Sequence, residues 1–337
     1  MNHDLAVFAP DSSRTFAERI AKELAVPLGR HEERWFEDGE HKTRPLVSVR
    51  GADVYVIASL YEDRIRTVND KLCQLLFFVG ALKDACASRV TAIVPYLCYA
   101  RKDRRSQLRD PVTTRYVAGM FEAVGTDRIV TLDVHNVAAY QNAFRCRTEH
   151  LEANELLAAS IAPALRDMDV VVVSPDAGGV RRAEDFRQCL GQRIGRDVHA
   201  AFAGKLRASG VVTGKPIVGE VAGRCAIIVD DLIGTGTTLS RIATDCLALG
   251  AREVRAVATH GLFVGGACEL LAGEALAQVV VTDTVPPFRV PSGPLMDKLA
   301  VIDTSSLFAR AIRCLHTDSS LSNVNNPLSV HVAKALR

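Results

Sequence analysis

Short runs of apolar, mostly β-branched residues recur along the chain: Val54–Ala58, Val90–Val94, Ile129–Leu132, Val170–Val173, Ala226–Val229, Val254–Ala258 and Val279–Val281. Between them lie stretches whose apolar positions return with helical spacing, such as Val68–Ala85, Val112–Val124, Arg181–Leu190 and Leu239–Leu249. Strands that are apolar throughout are buried on both faces, and strands alternating with helices form parallel sheets. The pattern predicts an α/β protein with two tandem units, residues 1–145 and 146–315, followed by a polar tail over 316–337. In the first unit, strands end at Pro95-Tyr96 and at Asp133-Val134-His135; in the second, at Ser174-Pro175-Asp176 and at Asp230-Asp231. Ligands of open parallel sheets bind beyond the carboxyl ends of the strands, so these polar endings are where chemistry is expected.

A length of 337 residues is ample for two domains. A net charge of +2 lacks the strong basic excess of a nucleic-acid binder. No run approaches the ~18 apolar residues of a membrane helix; the greasiest, Leu72–Leu82, is broken by Gln74 and Gly80. Met1–Pro10 shows no basic region followed by an apolar run, so no leader is expected and the cytoplasm is the expected compartment. The nine cysteines form no CxxC pair, which points away from a zinc cage or disulfide framework.

The most informative stretch is Ala226-Ile227-Ile228-Val229-Asp230-Asp231-Leu232-Ile233-Gly234-Thr235-Gly236-Thr237-Thr238. A buried strand leads into two carboxylates, then into a loop of small residues that opens a helix. Glycines let backbone N–H groups turn inward, while threonine hydroxyls and the helix N-terminus add donors for a phosphate. Adjacent carboxylates can accept from vicinal ribose hydroxyls. An ordinary strand-turn-helix with a threonine N-cap is the plain alternative.

Three further segments carry ligand-binding chemistry. Phe36-Glu37-Asp38-Gly39-Glu40 offers an aromatic face for a purine and acceptors on Asp38 and Glu40, although an isolated Asp-Gly is often only a turn. Arg101, Lys102, Arg104 and Arg105, with Asp103 among them, form a basic cluster suited to a triphosphate or, on its own, to a solvated face. Ala203-Gly204-Lys205-Leu206-Arg207-Ala208-Ser209-Gly210 is small, flexible and basic, as a closing loop would be. No GxxxxGK[ST] loop occurs, which excludes a P-loop kinase.

Taken in order, these motifs resemble those of the ribose-phosphate diphosphokinases over about residues 3 to 324. The Asp230–Thr238 stretch is similar to the phosphoribosyl-diphosphate motif, and Phe36–Glu40 to the Phe-x-Asp-Gly-Glu nucleotide segment. Pro95–Arg105 is similar to Pro-Tyr-x-x-Tyr-Ala-Arg-Gln-Asp-Arg, Asp133-Val134-His135 to Asp-Leu-His, and Val172–Gly179 to Val-Ser-Pro-Asp-x-Gly-Gly. The resemblance implies two phosphoribosyltransferase-like domains, each a mainly parallel sheet flanked by helices. It implies ATP at Phe36, Asp38, Gly39, Glu40, Arg101, Lys102 and Asp103, and ribose 5-phosphate at Arg207, Asp230, Asp231, Gly234, Thr235, Gly236, Thr237 and Thr238. Lys205 and Arg207 would be catalytic, and His135 and Asp176 would hold Mg²⁺. A homo-oligomer, dimer or hexamer, is expected, with no nucleic-acid or membrane partner. The sequence departs from the family at Gly234, where a third acid is usual, at Thr237 for a glycine, at Leu206 and Ala208 in the basic loop, and at Lys102 for a glutamine. A phosphoribosyltransferase would share only the phosphate motif. A non-catalytic regulatory subunit would have lost loop or metal residues that stand here.

Overall fold

The computed structural model describes residues 3–204 and 217–325, which form two compact units: residues 3–152 together with 305–325, and residues 153–204 together with 217–304. The expected boundary at 145 falls short because the strand Arg147–Leu151 completes the first sheet, and that at 315 differs because the last long helix, Ser305–His316, belongs to the first unit.

The first unit runs β1 (Leu5–Phe8), α1 (Arg14–Leu24), β2 (His31–Trp35), β3 (His41–Pro45), β4 (Asp53–Ile57), α2 (Val68–Asp84), β5 (Arg89–Val94), α3 (Thr113–Ala123), β6 (Arg128–Leu132), α4 (Val137–Ala143) and β7 (Arg147–Leu151). Five strands form an all-parallel sheet in the order β1-β4-β5-β6-β7, and β2 and β3 form a separate antiparallel hairpin. Every crossover after β4 steps the same way, so right-handed connections put α2, α3 and α4 on one face. Val54, Val56, Val90, Ala92, Leu75, Val79 and Phe121 share the apolar cluster there. Alternate residues of β4 point to the other face. There Asp53 Oδ2 lies 2.9 Å from Nδ1 of His316, at the end of a helix over Ser305–His316. That helix packs edge-to-face through Phe308 on Phe16 of α1, ring centroids 5.8 Å apart.

The second unit runs α5 (Asn154–Ile161), β8 (Val170–Ser174), α6 (Val180–Ile194), β9 (His199–Ala203), β10 (Ile217–Val218), β11 (Cys225–Ile233), α7 (Thr237–Ala248), β12 (Glu253–Gly261), α8 (Ala267–Ala272), β13 (Gln278–Thr282), α9 (Pro294–Asp297) and β14 (Leu299–Ile302); Ser305–His316 is α10. Its seven strands follow the order β10-β9-β8-β11-β12-β13-β14, parallel except for the β9–β10 pair. From β8 the chain steps outward to β9, and from β11 it steps the opposite way to β12. Right-handed crossovers therefore place α6 and α7 on opposite faces, and the order reverses between β8 and β11. Leu239, Ile242 and Cys246 of α7 join Ala226 and Ile228 in one cluster that contains no residue of α6, as this winding requires.

Thus each unit is a mainly parallel sheet flanked by helices. The two sheets differ in winding, since only the second contains a reversal, and a reversal opens a crevice at the carboxyl ends of its two central strands.

Candidate active site

In the second unit, the segments after β8 and β11 meet at this reversal. The strand does not stop at Asp230-Asp231, as its apolar run suggested; β11 continues in register with β12 as far as Ile233 opposite Gly261. The carboxylates are therefore fixed by sheet hydrogen bonding rather than hung on a loop. Asp231 is 3% exposed, and its N–H donates to Asp230 Oδ1 at 2.8 Å. Burial pushes the Asp230 carboxyl well above its ordinary value, with the hydrogen bond and charge of Asp231 adding to the rise and Arg182 opposing it.

Gly234-Thr235-Gly236 then turns the chain into α7. Gly236 has φ +74°, and a Cβ there would stand 2.9 Å from Leu271 Cγ, so both conformation and space require glycine. Gly236 is also the N-cap, not a threonine, and no side chain caps α7. The first N–H groups of this 12-residue helix thus lack a side-chain acceptor. Thr235 and Thr237 hydroxyls lie 3.0 Å apart beside them, both residues exposed, as is Thr238. Such an arrangement of donors suits an anion.

After β8, Ser174 Oγ donates to the Asp176 carbonyl at 2.7 Å, and Asp176 Oδ1 accepts the Gly179 N–H at 2.9 Å. A Cβ on Gly179 would come within 3.0 Å of Ser174 Oγ, and one on Gly178 within 3.2 Å of Asp176 Oδ1, which explains the glycine pair. One oxygen of the exposed Asp176 is held by this turn, and it is a hard donor of the kind magnesium takes. Lys205 and Arg207 lie outside the described residues; the flanking strands β9 and β10 pair antiparallel.

In the first unit, Phe36–Glu40 forms the tip of the β2–β3 hairpin. Phe36 N–H donates to the Glu40 carbonyl at 2.8 Å, Asp38 Oδ1 accepts the Glu40 N–H at 3.0 Å, and Gly39 takes φ +90°. Asp38, Gly39 and Glu40 are exposed, and the Arg34 guanidinium lies over the half-buried Phe36 ring at 4.8 Å. The hairpin is anchored by Trp35, which is clamped between Arg66, 3.5 Å from its ring centroid, and His41, stacked at 4.8 Å.

The basic segment follows β5. Tyr99 adopts φ +59° and donates to Asn69 Oδ1. Lys102 Nζ lies 3.2 Å from Asp110, and it leads the hydrogen bonds that pull the Asp110 carboxyl down to about 2. Lys102 is therefore engaged within its own loop, while Arg101, Arg104 and Arg105 are exposed. Asp103 accepts from Asn136 Nδ2 at 2.7 Å, and Asn136 Oδ1 in turn accepts the Ala139 N–H at 3.1 Å as the N-cap of α4. His135, exposed beyond β6, is thus adjacent in sequence to a residue that ties its loop to the basic segment.

Two contributors escaped the sequence reading. Arg182 of α6 places Nη1 3.3 Å from Asp231 Oδ1 and 3.6 Å from Asp230 Oδ1. Asn136 joins two segments that the sequence shows as separate. An arginine two residues into a helix and an asparagine after a histidine carry no local mark of these roles.

Comparison with known proteins covers almost the whole chain. The family model for the N-terminal domain of ribose phosphate pyrophosphokinase matches residues 5–125, and that for the phosphoribosyl synthetase-associated domain matches residues 206–325. The ribose-phosphate pyrophosphokinase of Caldanaerobacter subterraneus is 38% identical over 96% of this chain and 98% of its own. That of Pasteurella multocida is 36% identical over 95% of this chain and 98% of its own. The crystal structure of phosphoribosylpyrophosphate synthetase from Mycobacterium smegmatis aligns with a TM-score of 0.84 at 34% identity, covering 94% of this chain and 100% of that one. With both units matched and the order of motifs preserved, the chain belongs to the ribose-phosphate pyrophosphokinase family.

Proposed function

We propose that the chain transfers the diphosphoryl group of Mg-ATP to the 1-hydroxyl of ribose 5-phosphate, giving phosphoribosyl diphosphate and AMP. The observation that carries this reading is the uncapped Gly-Thr loop at the head of α7, set directly after the Asp230–Asp231 pair. Backbone N–H groups and the hydroxyls of Thr235, Thr237 and Thr238 hold the 5-phosphate, and the carboxylates accept from the ribose hydroxyls. Phe36, Asp38, Gly39 and Glu40 recognise the nucleotide, and Arg101, Lys102 and Asp103 serve the triphosphate side. Of these, Lys102 must leave Asp110 to reach a phosphate.

Asp176 and His135 are the residues that would hold the magnesium of Mg-ATP; the fit rests on the carboxylate, since an imidazole is a softer partner for so hard an ion. When bound, the ion neutralises phosphate charge. Lys205 and Arg207 bring cations to the charge that develops during in-line attack on the β-phosphorus, and no covalent intermediate forms. No helix among the described residues is long and apolar enough to cross a membrane. A cytoplasmic homo-oligomer, dimer or hexamer, fits this chemistry, and sedimentation checks its size.

Purified protein with Mg-ATP and ribose 5-phosphate should release AMP only when both are present. Stoichiometric ADP would instead show a simple kinase. A product formed from phosphoribosyl diphosphate and a free base, without ATP, would show a phosphoribosyltransferase.

A further inference from the structure

We propose that Arg182 is the positioning residue of the ribose site, keeping the carboxylates of Asp230 and Asp231 together as a pair of acceptors for vicinal hydroxyls. The inference rests on the ribose assignment above and adds a residue to it.

One nitrogen, Nη1, serves both acids, at 3.3 Å from Asp231 Oδ1 and 3.6 Å from Asp230 Oδ1. All three side chains are largely withdrawn from water, with exposures of 19% for Arg182, 24% for Asp230 and 4% for Asp231. Two neighbouring buried carboxylates cannot both ionise cheaply, and one of them takes up a proton unless a cation lies close by. The groups that act on Asp230 are the Asp231 carboxylate beside it on β11 and the Arg182 guanidinium from α6. On β12, Asp230 faces Ala258, and the nearby titratable group, His260, has Nδ1 2.8 Å from the Thr284 hydroxyl. The fold delivers Arg182 here because α6 follows β8 and the acids end β11, the two strands that flank the reversal. By opposing the rise in the Asp230 carboxyl, Arg182 extends to lower pH the range in which both acids are acceptors. Without it, one becomes a donor, and the site can no longer accept from two hydroxyls at once.

The test compares the full-length wild type with R182Q and R182K. Titration of [¹³C]aspartate-labelled protein by NMR should show the midpoint of the buried pair rising by about one unit or more in R182Q, the usual effect of losing a nearby opposite charge. Calorimetry at pH 7.5 should show ribose 5-phosphate bound about tenfold more weakly by R182Q. Its affinity should fall away at a higher pH than in the wild type, while Mg-ATP affinity stays the same. R182K, which keeps the charge, should recover most of both effects and provides the readout if R182Q does not fold. An unchanged midpoint together with unchanged ribose 5-phosphate affinity in R182Q would overturn the proposal, as would equal losses in R182K and R182Q. A midpoint that shifts while neither wild type nor variant binds ribose 5-phosphate would support the pairing by Arg182 and remove the substrate.

Discussion

Glu33 shows how one largely buried carboxylate can organise its surroundings. Its Oε1 lies 3.0 Å from His31 Nε2 and accepts the Asp11 N–H at 2.8 Å, and its Oε2 accepts from Gln74 Nε2 at 2.8 Å. Asp11, His31 and Glu33 thus bring metal-type ligand atoms within 4.8 Å of one another, but the oxygens of Glu33 are already taken. The other nitrogen of His31 faces the Gly29 carbonyl at 3.3 Å. With an acceptor at each nitrogen, the imidazolium is the form that fits. Burial opposes the charge, yet the hydrogen bonds to Glu33 and Gly29 outweigh it and hold the pKa above its ordinary value. A raised folded-state pKa contributes stability that is full below the unfolded value of about 6.5 and is lost as pH rises through the folded one. Thermal melts should therefore show stability declining as pH rises from about 6 through that window, and His31→Gln should flatten the decline. An equal slope in the variant would show that His31 does not titrate with folding. Nothing in the alternating polar run His31-Glu32-Glu33 marks His31 and Glu33 as buried, because the ring and the carboxylate bury each other only once the hairpin lies against α2.

At the scale of elements, legibility followed apolar content in the sheet centres but not at the edges, where the four-residue apolar strands β1 (Leu5–Phe8) and β14 (Leu299–Ile302) went unread. The central strands β4, β5, β6, β8, β11, β12 and β13 lie where their apolar runs placed them, since strands buried on both faces announce themselves. The β2–β3 hairpin, the edge strand β7 and the β9–β10 pair are mixed or polar and were not visible. The true end of β11 was hidden as well. Asp230 and Asp231 look like a strand terminus, but ladder pairing with β12 continues the strand past them to Ile233. The glycine loop itself was readable, whereas its helix cap was not. Gly236 rather than a threonine is the N-cap, because the chain must pass through φ +74° with Leu271 against it. Gly236→Ala should therefore act in two ways, through left-handed strain and through a Cβ 2.9 Å from Leu271. The combined cost should exceed about 1 kcal/mol. It should also shift the N–H groups proposed to hold the 5-phosphate, raising the KM for ribose 5-phosphate more than that for ATP. Kinetics and a melt on the same preparation check both, and a KM effect confined to ATP would place the sugar phosphate elsewhere.

On the scale of the whole chain, local pattern could show two α/β units but not which strand or helix completes each of them. After β4 the first sheet is wound in one direction, so the crossover helices α2, α3 and α4 cover only one face. The other face is served by α1 together with α10, the latter contributed by residues 305–316 after the entire second unit has intervened. A long-range return of this kind leaves no trace in any window of sequence, which is why the division near 315 was expected where the units divide at 304/305. The closure is both apolar and ionic. Leu307, Phe308, Ala311 and Ile312 are buried, and Phe308 meets Phe16. His316 Nδ1 lies 2.9 Å from the fully buried Asp53, which also takes two hydrogen bonds from Arg89, at 2.8 and 2.7 Å. These bonds hold the Asp53 carboxyl below its ordinary value against the opposing effect of burial. Phe308→Ala should then cost about 3–5 kcal/mol, the usual range for removing a buried aromatic ring. The loss should fall on the first unit. Trp35, the single tryptophan of the chain, lies in that unit and reports its unfolding by fluorescence. Hydrogen exchange should show β4, β5 and α1 deprotected in the variant, with β11 and β12 retaining their protection. If instead β11 and β12 lose protection to the same degree, the two units unfold as one and α10 supports the whole chain rather than the first sheet.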